Sequence, residues 1–479
     1  MEKQETGLSR LPGLETQSFI KRAVRVTWQR EHLSPLALTL ARLSFGAMIV
    51  LIPFSWRAVL EARPSPPIYR DYTDFLLTAS DCLLLAALIL WGISLALAPR
   101  RIRFGPLLVT APLAGLTIVG AISSISSVDP ALSIYHTGRL ILLDLLYLYI
   151  VNEVRSLGAI ALPVALQALV QSIVGLAQFL QQHSVGLARF GELGLDPTWK
   201  GVSIVWSGSS VLLRAYGLTD HPNILGGCLA FALVLVAYWY LETGTPWRTP
   251  IAAVFALGVI TLLLTFSRSA WLAFLAAFIL GLILLFLTRQ VSLLKDSLAL
   301  LITAMILVLP FAWQYSSYLG VRLNPGEPSM TTGENRSIVE RDVLNKAANN
   351  IFTDHAVLGI GLGAFPTALK VARPVFPFDY QPSHFALLEV TAETGIFGGL
   401  FYSLLLLAPW AALWLNRQRL RSNPATLAMA AVSALVLATT VVGLFDYYTW
   451  VLVPGRLWQW LVWGLWGTTY QSWIGVSDD

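Results

Sequence analysis

One histidine and a handful of arginines are the residues of this 479-residue chain best suited to chemistry. His384 opens SHFALLEVTAETGIFGG (Ser383–Gly399), where the long polar stretch from Tyr315 to Ser383 meets an apolar run. That stretch is cationic, with Arg322, Arg336, Arg341, Lys370 and Arg373. Ser383 after Pro382 suits an N-cap, which predicts His384 in the first helical turn. Glu389 and Glu393 then share one helix face, about 140° or more around from His384. RAYGLTDHPN (Arg214–Asn223) brings Arg214, Asp220 and His221 to the start of another apolar run, with Pro222 suited to a first turn. Arg268 interrupts an apolar block, and Asp446 ends a further one. Arginine forks match the oxygens of phosphate and diphosphate. A histidine of near-neutral pKa can act as a general base, and neighbouring cations keep it unprotonated. No Asp-X-Asp occurs and the aspartates are dispersed, so no metal site and no cofactor are signalled. Arginines would then stabilise the charge on a leaving diphosphate.

Each of these residues also has a plainer reading. Arg268 can equally be an anchor paired with a loop carboxylate or a phosphate ligand. Glu389 and Glu393 are expected to hold arginines in buried pairs, and Arg139 and Asp144 to pair within one span. His221 and His355 read as cap or loop residues, whereas Asp446 either orients a loop or meets the acceptor.

The elements that must position these groups are membrane helices. The chain is 56% hydrophobic and only 12% charged, against about a quarter charged in soluble domains. A formal charge of +5, scattered along the chain, does not argue for nucleic acid. Apolar runs near 36–55, 74–98, 105–126, 132–151, 158–180, 222–241, 250–266, 269–287, 297–315, 384–415, 424–445 and 454–474 predict an all-α polytopic protein of about 12 spans. The block 250–287 would be about 57 Å long as one helix, so it must fold back at Ser267–Ser269. The 384–415 run is long enough to kink, and Gly395, Gly398, Gly399 and Pro409 offer places to bend. Glycines suit close helix packing and the 17 tryptophans suit interfacial belts. Cys82 and Cys228 read as core residues without a disulfide.

Arg100, Arg101, Arg103, Arg155, Arg248, Arg289, Arg417 and Arg419 fall on one side if residues 1–35 are a cytoplasmic segment, with Lys21, Arg22, Arg25 and Arg30 as its basic flank. The membrane domain then spans 36–474, with a cytoplasmic tail at 475–479. Loops 181–221 and 316–383, the latter between the ninth and tenth spans, face outward. Arg57, Arg63 and Arg70 of the first outer loop run against this bias. Within the long loop, Val339, Val343, Leu344, Ala347, Ala348 and Ile351 suggest an amphipathic helix. The expectation at the two ends is no cleaved leader and no soluble domain after the last span.

RAYGLTDHPN, TFSRSAW (Thr265–Trp271), ERDVLNKAANNIFTDHAVLGIGLGAF (Glu340–Phe365) and SHFALLEVTAETGIFGG together resemble the O-antigen ligase and polymerase superfamily, in motif order over roughly residues 200–450. The resemblance implies a C-type glycosyltransferase fold in the bacterial inner membrane, with the active site on the extracytoplasmic side. It implies an undecaprenyl-diphosphate-linked glycan as donor, and as acceptor either lipid A–core (ligase) or another repeat unit (polymerase). Carried over by motif, the family's histidine base falls on His384. Its arginine after the fifth span falls on Arg214, and its loop arginine on Arg341, with Arg336 as the rival. Ala356 and Phe385 depart from the family pattern, where proline and asparagine are usual, which leaves the sub-family open. Two other classes compete with this reading. A secondary transporter should show repeats and mid-membrane polar groups, and no repeat stands out. An envelope-assembly scaffold would bind partners through the loop without chemistry.

Overall fold

The computed structural model describes residues 33–244, 246–323, 332–421, 423 and 425–475. The basic segment expected before residue 33 and the tail from 476 onward lie outside the described residues. Nine described helices are long and apolar enough to cross a membrane. They are α1 (Leu33–Leu51), α2 (Ala79–Leu97), α4 (Pro130–Glu153), α5 (Gly158–Gln181), α6 (Pro222–Glu242), α8 (Arg268–Leu287), α9 (Val291–Gln314), α13 (Ala386–Leu415) and α14 (Thr426–Phe445). Two shorter apolar helices, α3 (Leu107–Ser123) and α7 (Arg248–Leu264), pack among them. The last helix, α16 (Val453–Ile474), lies against α4, α6 and α14. The fold is therefore all-α and polytopic, relieved by two small antiparallel hairpins. These are β1 (Arg57–Glu61) with β2 (Phe75–Thr78), and β3 (Ile204–Ser207) with β4 (Ser210–Leu213).

α6 is the hub. Its residues are buried nearly all round, and α5, α7, α8, α14 and α16 all pack on it. The tryptophans divide, with Trp56, Trp247, Trp313 and Trp414 exposed as the interfacial expectation has it and a second group buried. Trp458, Trp460, Trp463, Trp466 and Trp473 are buried because α16 is enclosed by other helices, and Trp450, just before it, is buried as well. Of the cysteines, Cys228 is buried but Cys82 is exposed, pointing away from the bundle, and neither is bridged. The 250–287 block does fold back at the expected place. α7 ends at Leu264, Phe266 takes φ 49°, and α8 begins at Arg268.

Arg139 and Asp144 do not pair. Five residues apart on a helix, they point about 140° apart. Arg139 instead meets both carboxylate oxygens of Asp81 at 2.9 Å. Asp144 accepts from Thr117 Oγ1 (2.7 Å) and Trp460 Nε1 (3.0 Å). The three first-loop arginines that oppose the charge bias are each neutralised locally. Arg57 pairs with Asp220 (2.6 Å) and Asp71 (2.8 Å), Arg63 with Asp129 (2.9 Å), and Arg70 with Asp74 (3.3 Å).

Between α9 and α13 the chain forms α10 (Ser316–Leu323), α11 (Thr332–Asp354) and α12 (Phe365–Ala372). The amphipathic face expected on α11 buries Leu344, Ala347, Ala348 and Ile351 in a small core with Ile68, Phe365 and Leu369. Val339 is exposed instead.

α13 is broken at Gly395, with φ 69° and ψ −171°. Residues 356–361 are laid across the break. Ile360 N–H donates to Ala392 O (3.2 Å), Gly361 N–H to Glu393 O (3.0 Å), and Ile396 N–H to Ala356 O (2.8 Å). The glycine-rich GIGLG thus satisfies backbone groups that the break frees, as irregular backbone among membrane helices requires.

Candidate active site

A cleft of about 470 Å³ opens where several of these elements end together. Arg214 follows β4 directly and is 4% exposed. Its three nitrogens donate to Thr265 O (2.6 Å), Ser203 Oγ (2.7 Å) and Asn223 Oδ1 (2.6 Å), tying the hairpin to the α7–α8 turn and the start of α6. His221 is the N-cap of α6, its Nδ1 accepting the Asn223 N–H at 3.1 Å. Pro222 at the first position loses no bond there. Accepting at Nδ1 requires an unprotonated ring nitrogen. Burial, and then Arg214 with the other cations, lowers the His221 pKa well below its usual value.

Arg268, at the start of α8, and Arg322, in the last turn of α10, line the same wall. Arg322 Nε donates to Phe266 O at 3.1 Å, and Arg268 Nη1 to the Arg322 carbonyl at 3.4 Å. Arg341 enters from α11, and its buried Nε has no hydrogen-bond partner among the described residues. Asp446, at the α14 C-cap, is 4% exposed. It accepts from Asn223 Nδ2 and from the Tyr447 N–H, each at 3.0 Å. Burial raises its pKa, against the lowering field of Arg341.

His384 is not in the first turn of α13. The N-cap is Phe385, and His384 precedes it in the approaching chain. Ser383 is taken up otherwise, its Oγ donating to Asn345 Oδ1 (3.0 Å) and accepting from the Phe385 N–H (3.3 Å). The imidazole stands edge-on to Tyr447, ring centres 5.0 Å apart, and its buried Nδ1 has no hydrogen-bond partner among the described residues. Burial first, and Arg341 second, depress the His384 pKa to about 3, so the ring is neutral.

Glu389 and Glu393 lie behind the cleft rather than in it. Neither forms an ion pair with an arginine among the described residues. Glu389 Oε2 accepts the Ser383 N–H at 2.8 Å, and Glu393 Oε2 accepts Trp450 Nε1 at 2.8 Å. Their helix face turns toward the protein interior, where backbone and indole donors are what they meet. Arg336 is exposed, its guanidinium 5.8 Å from the Phe378 ring centre and away from the cleft lining.

Arg214, Arg268, Arg341, His221, His384 and Asp446 therefore share one cleft, while Arg336, Glu389 and Glu393 do not line it. Sequence reasoning gave Arg322 only as one cation of the polar stretch and assigned no site role to Asn223, Glu340, Gln381 or Tyr447, which also line it. Arg322 carried a signal, since it falls within two helical turns of the end of an apolar run just as Arg214 falls shortly before the start of one. Tyr447 and Gln381 carried none beyond adjacency. The lining holds four arginines and two carboxylates, Glu340 and Asp446, around a neutral imidazole. Such a wall can take a multiply charged anion beside a group able to accept a proton. Of the nearby aspartates, Asp220 pairs with Arg57 at 2.6 Å and Asp446 accepts from Asn223 at 3.0 Å. Among the described residues no group of three His, Cys, Asp or Glu side chains could hold a metal ion.

No curated protein matches the chain. Residues 253–403 match the family model described as O-antigen ligase, a region from α7 to the middle of α13 that contains Arg268, Arg341 and His384. Arg214, His221 and Asp446 lie outside the matched residues, so the match is narrower than the 200–450 suggested by the motifs. That region is similar to the O-antigen ligase family, within a chain whose long apolar helices mark a polytopic membrane protein.

Proposed function

We propose that this protein is an inverting, metal-independent glycosyltransferase that moves a glycan from undecaprenyl diphosphate to an acceptor hydroxyl. The observation that carries the reading is the convergence of Arg214, Arg268, Arg322 and Arg341, from four separate elements, beside an unprotonated His384. In this account the diphosphate lies against the arginines and the prenyl tail runs between helices. The acceptor hydroxyl gives its proton to His384 as its oxygen attacks the anomeric carbon from the face opposite the diphosphate. The bond to the diphosphate breaks in the same step, and the departing electron pair is stabilised by the arginine forks. Single displacement inverts the anomeric centre and leaves no covalent intermediate. Arg341 rather than Arg336 is the loop arginine of this scheme.

The depressed His384 pKa has a role here. At about 3 the imidazole is a weak base, and Arg341 is part of the cause. A diphosphate bound to Arg341 offsets that charge and makes His384 more basic, so donor binding prepares the base. Glu389 is a positioning residue in this scheme, fixing the Ser383 backbone next to His384.

The proposed membrane arrangement has twelve spans: the nine long helices together with α3, α7 and α16. The cleft faces the extracytoplasmic side of the bacterial inner membrane, and both termini are cytoplasmic. The test is reconstitution of the purified chain with an undecaprenyl-diphosphate-linked glycan in excess chelator. Lipid A–core and a second lipid-linked repeat unit are offered as alternative acceptors. Product on the first acceptor marks a ligase, and on the second a polymerase. Absence of product with both, or product only after magnesium or manganese is restored, overturns the scheme.

A further inference from the structure

A second and larger recess, about 940 Å³, opens beside the arginine cleft between the first outer loop and residues 379–381. Its chemistry is different. The cleft presents four arginines against two carboxylates, whereas the recess presents Asp71, Asp74 and Asp379 against Arg57 and Arg70, with Tyr69 and Tyr72. Tyr69 is 61% exposed.

The two spaces are joined by a continuous line of rings. Tyr69 meets Tyr72 edge-on with centres 5.9 Å apart, Tyr72 meets Tyr447 at 6.2 Å, and Tyr447 meets His384 at 5.0 Å. The hydroxyls of Tyr72 and Tyr447 are 2.7 Å apart. Gln381 lines both spaces and donates to Glu340 at 2.9 Å. The tyrosine pair and the amide thus link the recess wall to the imidazole.

We infer that the recess is the subsite for the acceptor sugar, with Tyr69 as a stacking platform and the exposed Asp379 and half-buried Gln381 as hydroxyl partners. This inference rests on the glycosyl-transfer reading above. An in-line displacement needs the acceptor oxygen on the side of the anomeric carbon opposite the diphosphate. The four arginines line the cleft to which His384 belongs, and Tyr447 stands between His384 and Tyr72 of the recess wall. Sugars present apolar C–H faces that suit an exposed ring, and hydroxyls that suit planar carboxylates and amides. A volume of this size falls within the ~300–1,000 Å³ of small-molecule clefts. The excess of carboxylates favours a neutral or amino-bearing sugar over a uronic acid. The first-loop arginines gain an explanation as well, since Arg57 and Arg70 hold Asp71 and Asp74 in the recess wall.

The test uses the full chain in nanodiscs on an array of neutral, amino-bearing and uronic-acid oligosaccharides, with undecaprenyl diphosphate as a separate ligand. Wild type should bind neutral or amino-bearing glycans in preference to uronates. Tyr69→Ala should bind them about tenfold more weakly and Tyr69→Phe should not, because the ring supplies the stacking. Both variants should keep wild-type affinity for undecaprenyl diphosphate. Failure to bind any array glycan, equal glycan binding by Tyr69→Ala, or a parallel loss of undecaprenyl diphosphate affinity overturns the subsite. Failure of the glycosyl-transfer reading leaves a different mark, namely Tyr69-dependent glycan binding with no affinity for undecaprenyl diphosphate.

Discussion

Replacing Gly395 by alanine should damage this protein more than any other single methyl addition to α13. The residue has φ 69° and ψ −171°, a region open essentially to glycine alone, so a side chain there costs about 1–3 kcal/mol in backbone strain. An added Cβ would also collide with the backbone carbonyl of Val357. Relieving that collision means separating the 356–361 segment from the break, which puts three hydrogen bonds at risk: Ile360 to Ala392, Gly361 to Glu393, and Ile396 to Ala356. Each buried group left unpaired costs about 1–3 kcal/mol. Losing even one, added to the strain, gives a destabilisation of about 2–6 kcal/mol. The stub of α13 above the break carries Glu389, so the Ser383–His384 backbone should shift too, and glycan transfer should fall with stability. Thermal unfolding of the purified protein in nanodiscs would measure the first effect, and product formation well below the unfolding temperature the second. Gly92→Ala is the control, since a Cβ there meets nothing within 4 Å and sits inside α2. It should be neutral or stabilising by about 0.5–1 kcal/mol. Indistinguishable unfolding of the two variants would refute the reasoning about the break.

His384→Ala should lose about 10²–10⁴-fold in transfer while retaining undecaprenyl diphosphate binding, measured on variants matched for thermal unfolding. Near-wild-type product would remove it as the base. Arg341→Ala should weaken donor binding and shift the acid limb of the free-enzyme pH–rate profile upward. Arg341 helps hold the His384 pKa near 3, and a base is lost as pH falls through its pKa, so raising that pKa moves the loss to higher pH. An unmoved limb would separate the two residues. Single cysteines at Val375 and Ser292, both exposed, should react with impermeant maleimide from opposite sides of the membrane in a background lacking Cys82 and Cys228. Labelling from one side would overturn the proposed orientation.

Hydropathy was enough to set out the nine long apolar helices among the described residues, because burial in lipid demands long apolar runs whatever their neighbours. The fold-back at Ser267–Ser269 and the buried stripe of α11 were legible for similarly local reasons: length in one case, period in the other. The candidate site was legible as residue types in loose motifs, and Arg214, Arg268, Arg341 and His384 do line one cleft. What joins them was not legible, since they are held by contacts between elements far apart in the chain, such as Arg214 with Thr265 and Asn223 with Asp446. Choosing partners for charges failed for the same reason. Arg139 turned to Asp81 rather than Asp144, and Glu389 and Glu393 took backbone and indole donors rather than arginines. The kink of α13 could be foreseen only as a set of four candidate positions. The backbone of residues 356–361, laid across the helix, decided for Gly395, because only there does the crossing chain leave no room for a Cβ and require a positive φ. The small hairpins and the Tyr72–Tyr447 contact had no local signature at all, since they exist only where the loop between α1 and α2 meets the α14–α15 corner (α15, Tyr448–Val451) and β3 folds onto α10.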